Sequence, residues 1–145
     1  MTQPSASGLS IRNQLPGTVS SVTPGEVMAT VKVRLDGGRT VTAAVTLEAV
    51  GELGLVAGSA VRALVKSTEV SLATGAVDGL SIRNRLPGTV TEVASGGAMA
   101  TVKIDVEGSA LTAAITQDAV TELGLTAGTS VVALIKSTEI ALASA

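Results

Sequence analysis

The chain says nearly the same thing twice, and this repetition constrains its fold more than any single motif. Residues 9–17 read LSIRNQLPG and residues 80–88 read LSIRNRLPG; residues 63–69 read ALVKSTE and residues 133–139 read ALIKSTE. Between these markers the halves stay aligned with one single-residue gap near Arg39, and about 39 of 65 aligned pairs are identical. Self-similarity of this kind precedes any other fold argument and predicts a tandem of two small domains. The expected division is a flexible tail over 1–8, one domain over 9–74, a linker over 75–79 and a second domain over 80–145.

Units of this size bury little core and usually need a staple, a metal or a partner. The chain has no Cys and no His, so neither a disulfide nor the two commonest zinc ligands are available. It also has no Phe, Tyr or Trp, so the core must be built from Val, Ala, Leu and Ile. The units are therefore expected to stabilise one another, and other chains, through apolar interfaces. A net charge of -2 argues against an electrostatic nucleic-acid footprint. No apolar run reaches the roughly 18 residues of a membrane-spanning helix. The opening MTQPSASG lacks the basic start and apolar stretch of a secretion signal, so a cytoplasmic protein is expected.

One repeat reads as five short strands and one short helix. A strand is expected over 17–22, then a turn at Thr23-Pro24-Gly25. Over 27–35 the apolar residues alternate with Met28, Thr30, Lys32 and Arg34, the period of a half-buried strand. Asp36-Gly37-Gly38 suits a hairpin turn into a strand over 39–45. Thr46 can cap a helix with Glu48 in its first turn, and Gly54 can stop it. Strands over 60–66 and 69–73 complete the unit. The second repeat follows with strands over 88–93, 98–106, 110–115, 130–136 and 139–143, and a helix from Thr116. The predicted fold class is mainly β: two tandem OB-like five-stranded barrels, each with one short helix.

The comparison of the halves also sorts the polar residues. Arg12, Lys32 and Lys66 recur as Arg83, Lys103 and Lys136, whereas Arg34, Arg39, Arg62 and Arg85 do not recur. Unmatched charges are what a solvated surface produces. Two shared clusters stand out: Ser10, Ile11, Arg12 and Asn13 with their twins Ser81 to Asn84, and Lys66, Ser67 and Thr68 with Lys136, Ser137 and Thr138. Each sets a cation beside small hydroxyls, without a carboxylate adjoining the cation, and Glu69 is near in sequence. Donors and positive charge without acceptors suit an oxyanion. The same residues also read as plain structure: a capped turn with a solvated arginine, a β-bulge or strand break at Lys66–Thr68, and helix N-caps at Thr46 and Thr116. A helix N-terminus is itself a ready anion site, so the cap and anion readings are compatible. Lys32 and Lys103 read as solvent-facing strand positions, and Met28 and Met99 as surface or interface fillers.

Taken together, SIRNQLPG and SIRNRLPG, TAAVT and TAAIT before the helix, ELGL followed by AG, and the two KSTE segments resemble the Mop domain, the molybdate-binding unit of molbindins and of molybdate-dependent regulators. Ile11 and Ile82 stand where that family usually has Ala. The likeness covers about 9–74 and 80–144, so the chain is similar to the two-Mop molbindins. The resemblance implies OB-like units that associate with threefold or pseudo-threefold symmetry, and hence a homotrimer with a pseudo-sixfold arrangement of six units. It implies molybdate held between units by Ser10, Arg12, Lys66 and Ser67, with Thr46 from a neighbour. The second set is Ser81, Arg83, Lys136, Ser137 and Thr116, and Asn13 and Asn84 match the motif. The metal would be bound as an oxyanion, with no direct protein ligand.

That resemblance implies molybdate binding, storage and homeostasis, with tungstate also accepted and no organic cofactor, nucleic acid or membrane involved. The alternative is a free-standing molybdate sensor that acts on a separate partner; related domains do this when fused to a DNA-binding or ATPase unit, which this sequence does not contain. An enzyme is not expected, since the chain has no His, Cys or Tyr and no recurring carboxylate pair. A nucleic-acid-binding OB fold would need aromatic platforms and a basic groove, and the sequence offers neither.

Overall fold

The computed structural model of the chain describes residues 8–145, so the expected tail, apart from Gly8, lies outside the described residues. The first repeat runs β1 (Asn13–Pro24), β2 (Met28–Leu35), β3 (Thr40–Thr46), α1 (Leu47–Leu53), β4 (Ala60–Val65), one turn of 3-10 helix (Ser67–Glu69) and β5 (Ser71–Ala73). The second runs β6 (Asn84–Ser95), β7 (Met99–Val106), β8 (Ser109–Thr116), α2 (Gln117–Leu123), β9 (Ser130–Ile135), a second 3-10 turn (Ser137–Glu139) and β10 (Ala141–Ser144). Among the described residues no helix is long and apolar enough to cross a membrane.

The alternating pattern of β2 does what its period requires. Ala29, Val31, Val33 and Leu35 are buried, while Met28, Thr30, Lys32 and Arg34 face out. Val27, the first expected inward position, falls outside the strand and is 73% exposed. Thr46 caps α1 by accepting from the Ala49 N–H at 3.1 Å, and Gly54 ends the helix at φ +63°. Thr116 and Gly124 repeat the arrangement around α2.

β1 begins at Asn13, four residues before the expected start, and runs through Pro16. That proline sits where β1 pairs with β4 alone; pairing with β2 starts at Gly17. Its missing N–H therefore breaks no ladder on the β2 side. A register shift between Val19 and Ser21, repeated between Val90 and Glu92, bends each long strand and curls its sheet into an OB-like half-barrel.

Each sheet has five strands, but the fifth comes from the other repeat. The orders are β10-β4-β1-β2-β3 and β5-β9-β6-β7-β8. Ala141 pairs with Leu64 and Ser144 with Val61, while Ser71 pairs with Leu134 and Ala73 with Val132. The 3-10 turns redirect the chain across the boundary between repeats. Val70 and Ile140, which follow the turns, are buried in one apolar cluster that both repeats share. A chain without aromatic residues thus pools two small cores into one.

Polar contacts reinforce the seam. Asn13 donates its side-chain amide to the Thr112 carbonyl and accepts from the Thr112 N–H, both at 2.8 Å. Asn84 mirrors this at Thr42, with bonds of 2.9 and 2.7 Å, and adds a bond of 3.1 Å to the Ile135 carbonyl. Arg39, read from sequence as a solvated unmatched charge, forms an ion pair of 2.8 Å with Glu107 of the other repeat. The hairpin turns of the two repeats meet there, which the linear sequence does not disclose.

Gly17 and Gly88 sit where strands approach most closely. A Cβ on Gly17 would lie 2.6 Å from the Arg34 carbonyl oxygen, and one on Gly88 2.7 Å from that of Asp105. Both obstacles are backbone. Gly17→Ala is expected to cost about 1–3 kcal/mol, as overpacking does. Thermal or urea unfolding reads this directly; an unchanged midpoint would show that β1 and β2 can separate without penalty.

Candidate anion-binding site

Strand register brings the two shared polar clusters together. Asn13 is opposite Val65, the last residue of β4, so residues 10–12 enter and residues 66–68 leave at the same end of one strand pair. Ser10, Ile11, Arg12, Lys66, Ser67 and Thr68 line a shallow cleft of about 240 Å³. Asn84 is opposite Ile135, which carries Ser81, Arg83, Lys136 and Ser137 to the equivalent end of the second pair.

The expected break at Lys66–Thr68 is the 3-10 turn. The Glu69 N–H donates to the Lys66 carbonyl at 2.9 Å, and the N–H groups of Ser67 and Thr68, at its start, have no acceptor within the turn. Ser10, Arg12 and Lys66 are exposed and Ser67 is half-buried. The Ser67 hydroxyl oxygen is itself fully buried and has no hydrogen-bond partner among the described residues, and the Ser137 hydroxyl is in the same condition. Buried polar atoms are nearly always paired, because an unpaired one costs about 1–3 kcal/mol. Two such hydroxyls at equivalent positions, each beside a lysine and near an arginine, fit a ligand that accepts hydrogen bonds. The donor set around Ser67 contains no carboxylate lining residue.

Other expected site residues are placed differently. Asn13 and Asn84 are buried, at 3% and 2% exposure, and each side-chain amide is bonded to the opposite repeat, so they hold the seam, and Asn13 does not line the cleft. Thr46 and Thr116 do not line the cleft of Ser10 and Lys66. Their hydroxyls accept from the helix N–H groups and keep a proton to donate. The first 3-10 turn packs on β8, which ends at Thr116, and the second packs on β3, which ends at Thr46. Each turn therefore lies against the strand that leads to the other repeat's threonine.

The carboxylates are closer to the cations than the linear sequence suggests. Ala141 pairs with Leu64 and Ser71 with Leu134, which brings the 3-10 turn that carries Glu139 toward the end of β4 and the turn that carries Glu69 toward the end of β9. Side-chain hydrogen bonding toward Glu69, partial loss of hydration and the like charge of Glu69 raise the Glu139 carboxyl above the usual value. Lys136 and Lys66 oppose that rise. Among the described residues, no three His, Cys, Asp or Glu side chains converge as a metal-binding group.

Comparison with known proteins places this geometry in context. The family model for the TOBE domain matches residues 9–72 and again 80–142. The chain is 40% identical to the molybdenum-pterin-binding protein MopB of Rhodobacter capsulatus over 92% of its own length and 50% of that protein's. It is 37% identical to the molybdenum transport protein ModE of Herbaspirillum seropedicae over 88% of its length and 48% of that protein's. The chain spans about half the length of these curated relatives. Among solved structures it is similar to the cytoplasmic molybdate-binding protein ModG in a molybdate-bound form, with a TM-score of 0.92 and 40% identity over 94% of this chain and 99% of that one.

Proposed function

We propose that this chain, which belongs to the TOBE domain family and carries two Mop-type units, binds molybdate and stores it in the cytoplasm as a homotrimer with anions held between units. The observation that carries the reading is the pair of buried hydroxyls of Ser67 and Ser137, unpartnered among the described residues, each next to a lysine, with the first lining a cationic cleft. It is a binding role and not a catalytic one.

Molybdate is a tetrahedral dianion whose four oxygens accept hydrogen bonds. Arg12 and Lys66 would neutralise it in the first cleft, and Ser10, Ser67 and the N–H groups at the start of the 3-10 turn would orient it; Arg83, Lys136, Ser81 and Ser137 would do so at the equivalent place in the second repeat. Thr46 and Thr116 would complete clefts of neighbouring units from their capped helix starts. Phosphate often carries a proton near neutral pH, and a cleft of donors leaves that proton unpaired at a cost of about 1–3 kcal/mol. Sulfate carries the same charge as molybdate, so it must be rejected by size. Tungstate matches molybdate in charge and nearly in size and would be accepted.

Exposed apolar side chains support association. Val27, Met28, Leu53 and Val56 stand out on the first repeat and Met99 on the second, with Val56 64% exposed. An anion bound between chains would stabilise the oligomer by mass action. Native mass spectrometry with molybdate and with sulfate tests the proposal. A trimer that gains several molybdates but no sulfate at equal concentration is the expected result. A monomer, or a trimer indifferent to molybdate, would overturn it.

A further inference from the structure

The two repeats carry the same polar residues at the equivalent strand ends but differ in what holds their loops. In the second repeat the Arg85 guanidinium donates to the Leu80 carbonyl at 2.6 Å and to the Ile82 carbonyl at 3.1 Å. In the first repeat Gln14 stands in its place and donates to the Ile11 carbonyl at 2.9 Å. Gln14 in turn accepts from Arg62 at 3.1 Å. Arg62 sits on β4 opposite Pro16, and its counterpart opposite Pro87 on β9 is Val132. Each repeat thus keeps one guanidinium at this spot, delivered from β4 in the first and from β6 in the second. All four side chains are half-buried. Read from sequence, Arg62 and Arg85 are unmatched surface charges; in space they are alternative solutions to one task.

The geometry points to Arg85, and to the Gln14–Arg62 pair in the first repeat, as positioning residues for the anion loops. This rests on the oxyanion reading of the clefts. A trans peptide holds its C=O and N–H in opposite directions, so fixing a carbonyl fixes the aim of the next residue's N–H. Arg85 anchors the carbonyls of Leu80 and Ile82, and so orients the N–H groups of Ser81 and Arg83 away from itself. Gln14 anchors the carbonyl of Ile11 and orients the N–H of Arg12. Arg85 grips its loop at two points and Gln14 at one, so the second loop is the more rigid before any anion arrives. Rigidity in the bound geometry removes an ordering cost from binding.

The test uses the full chain in an Arg12→Ala background, so that sites built on the second loop are read alone, with molybdate as the probe in calorimetry. Arg85→Gln is expected to weaken binding about tenfold. Arg85→Lys keeps the charge but not the two-nitrogen grip, and is expected to weaken it comparably. Arg85→Gln combined with Val132→Arg rebuilds the first repeat's arrangement and is expected to recover most of the loss. In protein without anion, hydrogen exchange over residues 80–84 should quicken in Arg85→Gln and slow again in the combined variant. Full affinity in Arg85→Lys would reduce the residue to a distant charge and overturn the proposal. Unchanged exchange together with unchanged affinity in Arg85→Gln would also overturn it. Absence of molybdate binding by the unsubstituted chain would instead overturn the oxyanion reading itself.

Discussion

Removal of residues 141–145 is expected to weaken the first sheet while leaving the second intact, although the deleted residues belong to the second repeat. β10 pairs with β4 from Ala141↔Leu64 to Ser144↔Val61 and makes no pair with β9. Without it β4 becomes an edge strand with unpaired backbone groups. The loss comprises part of the about 1.5–3 kcal/mol that full burial of a leucine is worth, since Leu142 is half-buried, and ladder bonds at about 0.5–1.5 kcal/mol each. A total of about 3–5 kcal/mol is a large share of the stability of a small protein. Hydrogen exchange separates the alternatives: amides of β4 should lose protection and those of β9 should keep it. Protection lost in β9 with β4 unaffected would mean that each repeat retains its own strand. The exposed β4 edge should also promote pairing between chains, visible as new dimers in light scattering.

This exchange was the part of the fold that the linear sequence concealed. The alternation in β2, the capping threonines and Gly54 act over a few residues, so they are legible from residue types alone. The fifth strand is short in each repeat, and its side chains Ser71-Leu72-Ala73 and Ala141-Leu142-Ala143 are too alike to specify one sheet over the other. What decides is the direction of the 3-10 turn and the burial of Val70 and Ile140, both properties of the assembled core. The site divides in the same way. Ser10, Arg12, Lys66 and Ser67 could be grouped by recurrence because both copies carry them, and the register of β1 on β4 brings them to one cleft. Asn13 and Asn84 recur for a different reason: each side chain replaces a missing strand contact across the seam. Recurrence cannot separate a ligand contact from a seam contact. It also overlooks Arg62 and Arg85, which meet one requirement from different strands and so never align.

The arginines of the clefts carry the second large effect. Arg12→Ala with Arg83→Ala is expected to reduce molybdate affinity at every cleft by tenfold or more, on the order of the 1.5–3 kcal/mol typical of a hydrogen bond to a charged group. Each change removes a planar donor that can meet two oxygens at once, whereas the remaining Lys66 or Lys136 offers a point charge. Arg→Lys at both positions should therefore recover only part of the loss. Net charge alone could weaken anion binding, so Lys32→Ala with Lys103→Ala serves as the control. Those lysines face outward on β2 and β7, away from the strand ends that carry Arg12 and Arg83, and their removal changes the net charge by the same amount. Calorimetry at two salt concentrations completes the comparison, because a distant charge is screened and a direct contact much less so. Equal losses in the two double variants, both fading in high salt, would show that the clefts attract the anion only through the overall field. A large, salt-resistant loss confined to Arg12→Ala with Arg83→Ala is the result that direct coordination requires.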